Sequence, residues 1–177
     1  MTRTPEHLSR DLVQEFIDQS IRRIEDNTPR ILKCLTELNE EEIWNHPNES
    51  SNSVGNIILH ICGNVTQYIL SSIGGIEDIR ERDKEFTATG GISKQELINK
   101  LAATLAQTVK IIGQQSEESL MKKRMVQGFQ LSGIGIVVHV VEHYSYHTGQ
   151  IAFWTKLLKN KDLAFYGTTN LNTRNRT

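Results

Sequence analysis

Three of the six histidines in this 177-residue chain stand in one stretch, His139-Val-Val-Glu-His143-Tyr-Ser-Tyr-His147, four residues apart. In a helix, residues i and i+4 lie one above the other with Cβ atoms roughly 6 Å apart, so two imidazoles can converge on one ion at about 2.0–2.1 Å. Three in a row cannot, because i and i+8 are separated by about 12 Å of rise in an unbroken helix. Either His139 or His147 is therefore surplus, and a further ligand must come from elsewhere. Spacing does not choose between His139/His143 and His143/His147. His60 is the natural remote partner, since it falls on an apolar helical face where an unpaired imidazole is costly to bury. A lone histidine on such a face is ordinarily a hydrogen-bonded core residue; the clustering favours a metal site. His7 and His46 stand in polar surroundings and read as solvated.

His139-Val-Val-Glu142-His143 also spells the H-x-x-E-H signature of inverted zinc proteases. Such enzymes take a carboxylate ligand from well downstream, yet only Asp162 follows Glu142, and the chain is short for that class. There is no H-E-x-x-H, Walker loop, G-x-S-x-G elbow or dinucleotide glycine fingerprint.

Several neighbours of the histidines are candidates for supporting roles. Asn64 lies one turn from His60 and Gln150 seven residues beyond His143, so both share the ligand faces; each can orient substrate or simply satisfy hydrogen bonds inside the protein. Glu142 reads as a solvated surface group, Tyr68, Tyr144, Tyr146 and Trp154 as core aromatics, and Cys62 as turned away from His60.

These side chains need helices to hold them. Leu12, Val13, Phe16, Ile17, Ile21, Ile24, Ile31, Leu32 and Leu35 predict a long first helix that Pro29 interrupts or kinks. Asn39 to Pro47 predicts a short turn of helix, and Asn48 to Asn52 a loop. Ser53 is the expected N-cap of a second long helix ending near Gly74-Gly75, with His60 at its middle. Glu77 to Glu85 and Gly90-Gly91 read as a long connection before a capping box, Ser93 and Glu96, opens a third helix to about Ser116. Met121 to Leu131 reads as irregular. Ser132 to about Lys159 is a fourth helix, apolar on more than one side as for a helix buried in a bundle. The expected architecture is an all-α four-helix bundle, one domain over residues 1–177 with a polar tail at 163–177.

Composition narrows the function classes. A formal net charge of -1 and a pI near 6.6 provide no bulk field for nucleic acid or an anionic membrane. Two distant cysteines outside any CxxC pair fit a reducing compartment, and the charged start lacks the apolar segment of a signal peptide, so a cytoplasmic location is expected.

The run Asn52-Ser-Val-Gly-Asn-Ile-Ile-Leu-His60-Ile-Cys-Gly-Asn64, followed about eighty residues later by His143-Tyr-Ser-Tyr-His147-Thr-Gly-Gln150-Ile, resembles the DinB-like (DinB/YfiT) superfamily across nearly the whole chain. The resemblance implies a four-helix bundle in which His60, His143 and His147 bind a divalent metal, with His139, Asn64 and Gln150 left as supporting or substrate-facing residues. Zinc is the first choice of ion, with nickel or another transition metal as substitutes, since imidazole suits several. Characterised branches of that superfamily include transferases and isomerases that use a low-molecular-weight thiol such as bacillithiol or mycothiol. The resemblance thus implies a metal-dependent thiol transferase acting on a small molecule. A metal-dependent hydrolase and a non-enzymatic stress-response bundle with a structural ion are the alternatives. A homodimer is expected from architecture and family.

Overall fold

A computed structural model describes residues 5–175, with side chains described from residue 9 onward, so His7 lies outside the described side chains. Four long helices dominate: α1 (Pro5–Glu37), α3 (Val54–Val65), α5 (Lys94–Gly113) and α7 (Gly133–Lys159). Shorter α2 (Glu40–Trp44), α4 (Arg82–Thr87) and α6 (Glu117–Met121) lie in the connections, with a hairpin of β1 (Lys123–Val126) and β2 (Phe129–Ser132). Around the bundle α1 touches α5 and α7, and α3 touches the same two, which leaves α1 and α3 on opposite sides. The expected four-helix, all-α architecture is present, and the α3/α7 seam brings the histidine segments together.

α1 is continuous through Pro29, so of the two expected effects, an interruption or a kink, the interruption does not occur. Its inward residues Ile24, Ile31 and Leu35 are at most 1% exposed, and burial of roughly 1.5–3 kcal/mol per side chain outweighs the ~3 kcal/mol that an internal proline costs. α3 starts where expected: Ser53 Oγ accepts from the Asn56 backbone N–H and Asn56 reaches back to the Ser53 N–H. It then widens into a π-helical turn, Thr66–Ser71, from which Gln67 and Tyr68 reach partners on the site side. The Ser93/Glu96 box opens α5, which ends at Gly113 rather than Ser116.

Two connections differ from expectation. Residues 121–131 are not irregular: Gln127 (φ +52°) and Gly128 (φ +83°) form a tight turn with both residues left-handed, the geometry that joins twisted antiparallel strands. Four-residue strands fell below the length at which alternation is readable. Part of the 77–85 stretch is helical, and α4 proves to carry a site residue.

α7 is less enclosed than its composition implied. Ile136, Val137, Val140, Tyr144 and Ile151 are buried, whereas Val138 (49%), Phe153 (70%) and Leu157 (62%) are exposed. The tail begins by docking: Leu163 is fully buried, and Tyr166 lies beneath the Arg30 guanidinium at 5.2 Å. Among the described residues, no helix is long and apolar enough to cross a membrane.

Candidate metal centre

His60 sits at the middle of α3, 7% exposed, facing His143 and His147 one turn apart on α7. The His143 Nε2 lies 3.0 Å from His60 Nε2 and 3.1 Å from His147 Nε2. One ligand atom from each of the three lies within 4.8 Å of the others, so the trio can hold a metal ion. His139 stands outside the trio, stacked 4.2 Å from the Tyr68 ring and 5.5 Å from that of His143. Helical rise keeps His139 and His147 from sharing one ion, and the packing of His60 against His143 and His147 makes His139 the one left out.

The outward-facing ring nitrogens determine what the inner ones offer. His60 Nδ1 is 2.9 Å from Glu85 Oε2, and the Arg80 guanidinium grips the same carboxylate, Nε to Oε1 at 2.7 Å and Nη2 to Oε2 at 2.8 Å. Arg80 Nη2 also lies 3.2 Å from His60 Nδ1. A lone pair on Nδ1 would face the carboxylate oxygen in repulsion, so Nδ1 carries the proton and donates it to Glu85. His147 Nδ1 donates to Gln150 Oε1 at 2.7 Å, while Gln150 Nε2 donates to the Tyr146 hydroxyl at 3.0 Å. In neutral rings, Nδ1 protons placed in this way leave the Nε2 lone pairs of His60 and His147 facing His143 Nε2, whose single proton can satisfy only one of them. A shared cation resolves that conflict, and the donor set fits a divalent ion.

Electrostatics point the same way. Burial, reinforced by His147, His60, His139 and Arg80, lowers His143 to about 3. Burial also lowers His147 to about 4, against the Gln150 hydrogen bond and with help from His60. Both rings are thus neutral donors at ordinary pH. Burial alone would raise Glu85, but its hydrogen bonds to Arg80 and His60 outweigh this and hold it below the usual carboxylate range.

The carboxylate is placed by residues that spacing did not reveal. Asn56 Nδ2 donates to the Glu85 and Ala88 carbonyls at 2.9 and 2.7 Å, pinning α4 against α3. At Gly63 a Cβ would fall 1.9 Å from Glu85 Oε1, so only glycine admits the carboxylate. Phe86 packs on the His60 ring at 4.7 Å between centroids, and the Arg82 guanidinium lies over the Phe86 ring, 4.7 Å from its centroid. Arg80 and Glu85 had no sequence signal beyond a charged run, since their partners stand 20 and 25 residues from them in the chain.

The other candidates divide. Gln150 supports His147, and Asn64 Nδ2 meets His139 Nε2 at 3.3 Å while its Oδ1 is buried without a partner. Glu142 is exposed as expected. Tyr68 and Tyr144 are core residues, but Tyr146 is 61% exposed and packs on the His147 ring, a correction to its expected core role. Cys62 is buried against α5, where burial pushes its thiol up to about 11 despite Thr104, and it takes no part in the trio. His46 is exposed and pairs with the Ser51 carbonyl.

The fold is shared with solved bacterial structures. The DinB-like protein YjoA of Bacillus subtilis superposes with a TM-score of 0.64 at 18% identity, covering 84% of this chain and 96% of that one. A DinB-like protein of Bacillus cereus ATCC 10987 gives 0.63 at 16% identity, covering 80% and 92%. A conserved protein of Enterococcus faecalis gives 0.58 at 19% identity, covering 85% and 97%. No curated protein matches the chain. Residues 11–169 match the family described as "Protein of unknown function (DUF1572)", and the chain, a DinB-like bundle in fold, belongs to that family.

Proposed function

We propose that this protein is a cytoplasmic metal-dependent enzyme, with zinc as its resident ion and nickel or another transition metal as substitutes, that transfers a group to or from a low-molecular-weight thiol. The observation that carries this reading is the convergence of three imidazoles, two of them with their outer nitrogens tied by hydrogen bonds. With no carboxylate in the ligand set, a divalent ion there keeps its positive charge and an open position, and so favours the anionic form of a thiol at neutral pH. Glu85 and Gln150 fix which nitrogen of His60 and His147 points inward, and Arg80 keeps Glu85 ionised. The small-molecule partner approaches the partly buried His143 and His147. A second copy of the chain covers the exposed apolar residues Leu12 of α1 and Ile134 and Val138 of α7. Sedimentation equilibrium checks that homodimer.

Elemental analysis of protein made without a histidine tag tests the metal. The expected result is close to one ion per chain, lost in His60→Ala and His147→Ala and only partly lost in His139→Ala. A ratio near zero, insensitive to these changes, overturns the reading. With metal present, conjugation of small thiols to electrophiles is expected to exceed hydrolysis of ester and amide panels; the reverse outcome makes the protein a hydrolase. Unfolding on chelation with neither activity makes the ion structural.

A further inference from the structure

One helical turn from the candidate centre, between the C-terminal half of α7 and the loop at 47–52, lies a cavity of about 420 Å³. Its apolar wall is Ile57, Phe153, Trp154 and Leu157, and its lip is formed by amide and hydroxyl side chains of the loop. That volume is within the ~300–1,000 Å³ typical of small-molecule sites. Three observations bear on its occupant. Of the lining residues, none is ionisable. Phe153 and Leu157 stand 70% and 62% exposed, an apolar surface that core packing does not use. Gln150 belongs to both sites, lining the cavity while its Oε1 accepts from His147 Nδ1 at 2.7 Å.

Ile57 precedes His60 by three residues on α3, and Gln150 and Trp154 follow His147 by three and seven on α7. One turn advances about 5.4 Å, so a molecule seated against Ile57 and Gln150 lies beside the three imidazoles. We propose that this cavity binds the second substrate, an uncharged molecule with an apolar, ring-sized body held between Ile57, Phe153, Trp154 and Leu157 and a polar end at the 47–52 loop. The assignment rests on the metal-dependent transfer proposed above, in which a thiolate sulfur bonds to an electrophilic carbon of the second substrate as that carbon's bond to a leaving group breaks; the uncharged lining is what favours a neutral molecule. A wall without ionisable groups discriminates by charge, because a carboxylate or ammonium entering it loses water and gains no counter-charge. The lip already uses part of its own polarity internally: Asn48 Oδ1 accepts from the Ser50 N–H and the Ser51 hydroxyl, at 3.0 Å each.

The chain has two tryptophans, and only Trp154 lines this cavity; Trp44 packs on Gly55 and donates to the Ile92 carbonyl. Tryptophan quenching by nitrobenzene and by 4-nitrobenzoate, which differ by one carboxylate, therefore reads the site in the full chain. The expected result is saturable quenching by nitrobenzene, with 4-nitrobenzoate weaker by at least about tenfold. The saturable component persists in Trp44→Phe and vanishes in Trp154→Phe. Leu157→Asp, on an exposed position that leaves the fold intact, weakens nitrobenzene binding by about fivefold or more, and Leu157→Met does not. Linear quenching, equal affinity for the two probes, or indifference to Leu157→Asp overturns the proposal. So does a dimer that Leu157→Asp dissociates without any saturable binding, since the apolar wall is then a seat for a second copy. Titrations are run on metal-loaded and chelator-treated protein. Probe binding without any bound metal leaves the cavity and removes the metal reading, whereas bound metal without probe binding removes the cavity alone.

Discussion

Glu85 shows how one side chain can determine the donor properties of another. Its carboxylate selects the His60 tautomer, and Arg80, with its side chain 3% exposed, keeps that carboxylate ionised. Glu85→Gln preserves the shape while removing the charge, and is expected to lower metal affinity by about 10- to 100-fold, measured by competition with a chelating dye. Gly63→Ala, which would ordinarily favour a helix, is expected to act in the same direction, because its Cβ meets Glu85 Oε1 at 1.9 Å and must displace it. Arg80→Met leaves a buried carboxylate without its cation and is expected to cost about 3 kcal/mol or more in urea unfolding; adding Glu85→Gln to it recovers much of the loss.

Among the elements, α4 and the start of α3 act as one unit. Asn56 is fully buried, closes the Ser53 capping box and tethers the carbonyls of α4, so a single residue both starts the helix that bears His60 and seats the helix that bears Glu85. Asn56→Ala is expected to cost about 2–3 kcal/mol and to reduce metal uptake as well, whereas Ser93→Ala, at the cap of α5, costs about 1 kcal/mol and leaves metal uptake unchanged. The pair separates capping from site assembly by chemical denaturation and metal analysis. The hairpin is also tied to this network, for the Tyr68 hydroxyl, on the ring that stacks against His139, donates to Gln127 Oε1 at 2.9 Å.

For the whole molecule, the lowered His143 and His147 link folding to acidity. The unfolded chain takes up protons as pH falls below about 6.5, while the folded rings resist until about 4 for His147 and 3 for His143. The stability that these neutral rings contribute to the metal-free protein is therefore complete above pH 6.5 and is lost progressively as pH falls from 6.5 toward 3. Urea midpoints of chelator-treated protein across that range check it, and His143→Asn is expected to flatten the slope. Added zinc should raise the midpoint at pH 7, stabilising the fold by about 4 kcal/mol when free ion exceeds the dissociation constant 1,000-fold, and cease to do so in acid.

The same molecule shows where sequence reading stops. Helix-forming periodicity, the Ser53 and Ser93 caps and the four-residue histidine spacing are local properties, governed by rise per residue and nearby hydrogen bonds, and so the bundle and the surplus of one histidine were legible in the chain itself. Local spacing did not choose between His139 and His147; that choice came first from resemblance, and the convergence of the rings became visible only when α3 was packed on α7. The continuity of α1 through Pro29 depended on burial against neighbouring helices, the roles of Arg80 and Glu85 on partners 20 and 25 residues away, and the exposure of Tyr146 and Phe153 on which face of α7 turned outward. Periodicity records which residues share a helix face, but the contacts across faces that select a tautomer, seat a carboxylate and open a cavity exist only after the helices have been packed together.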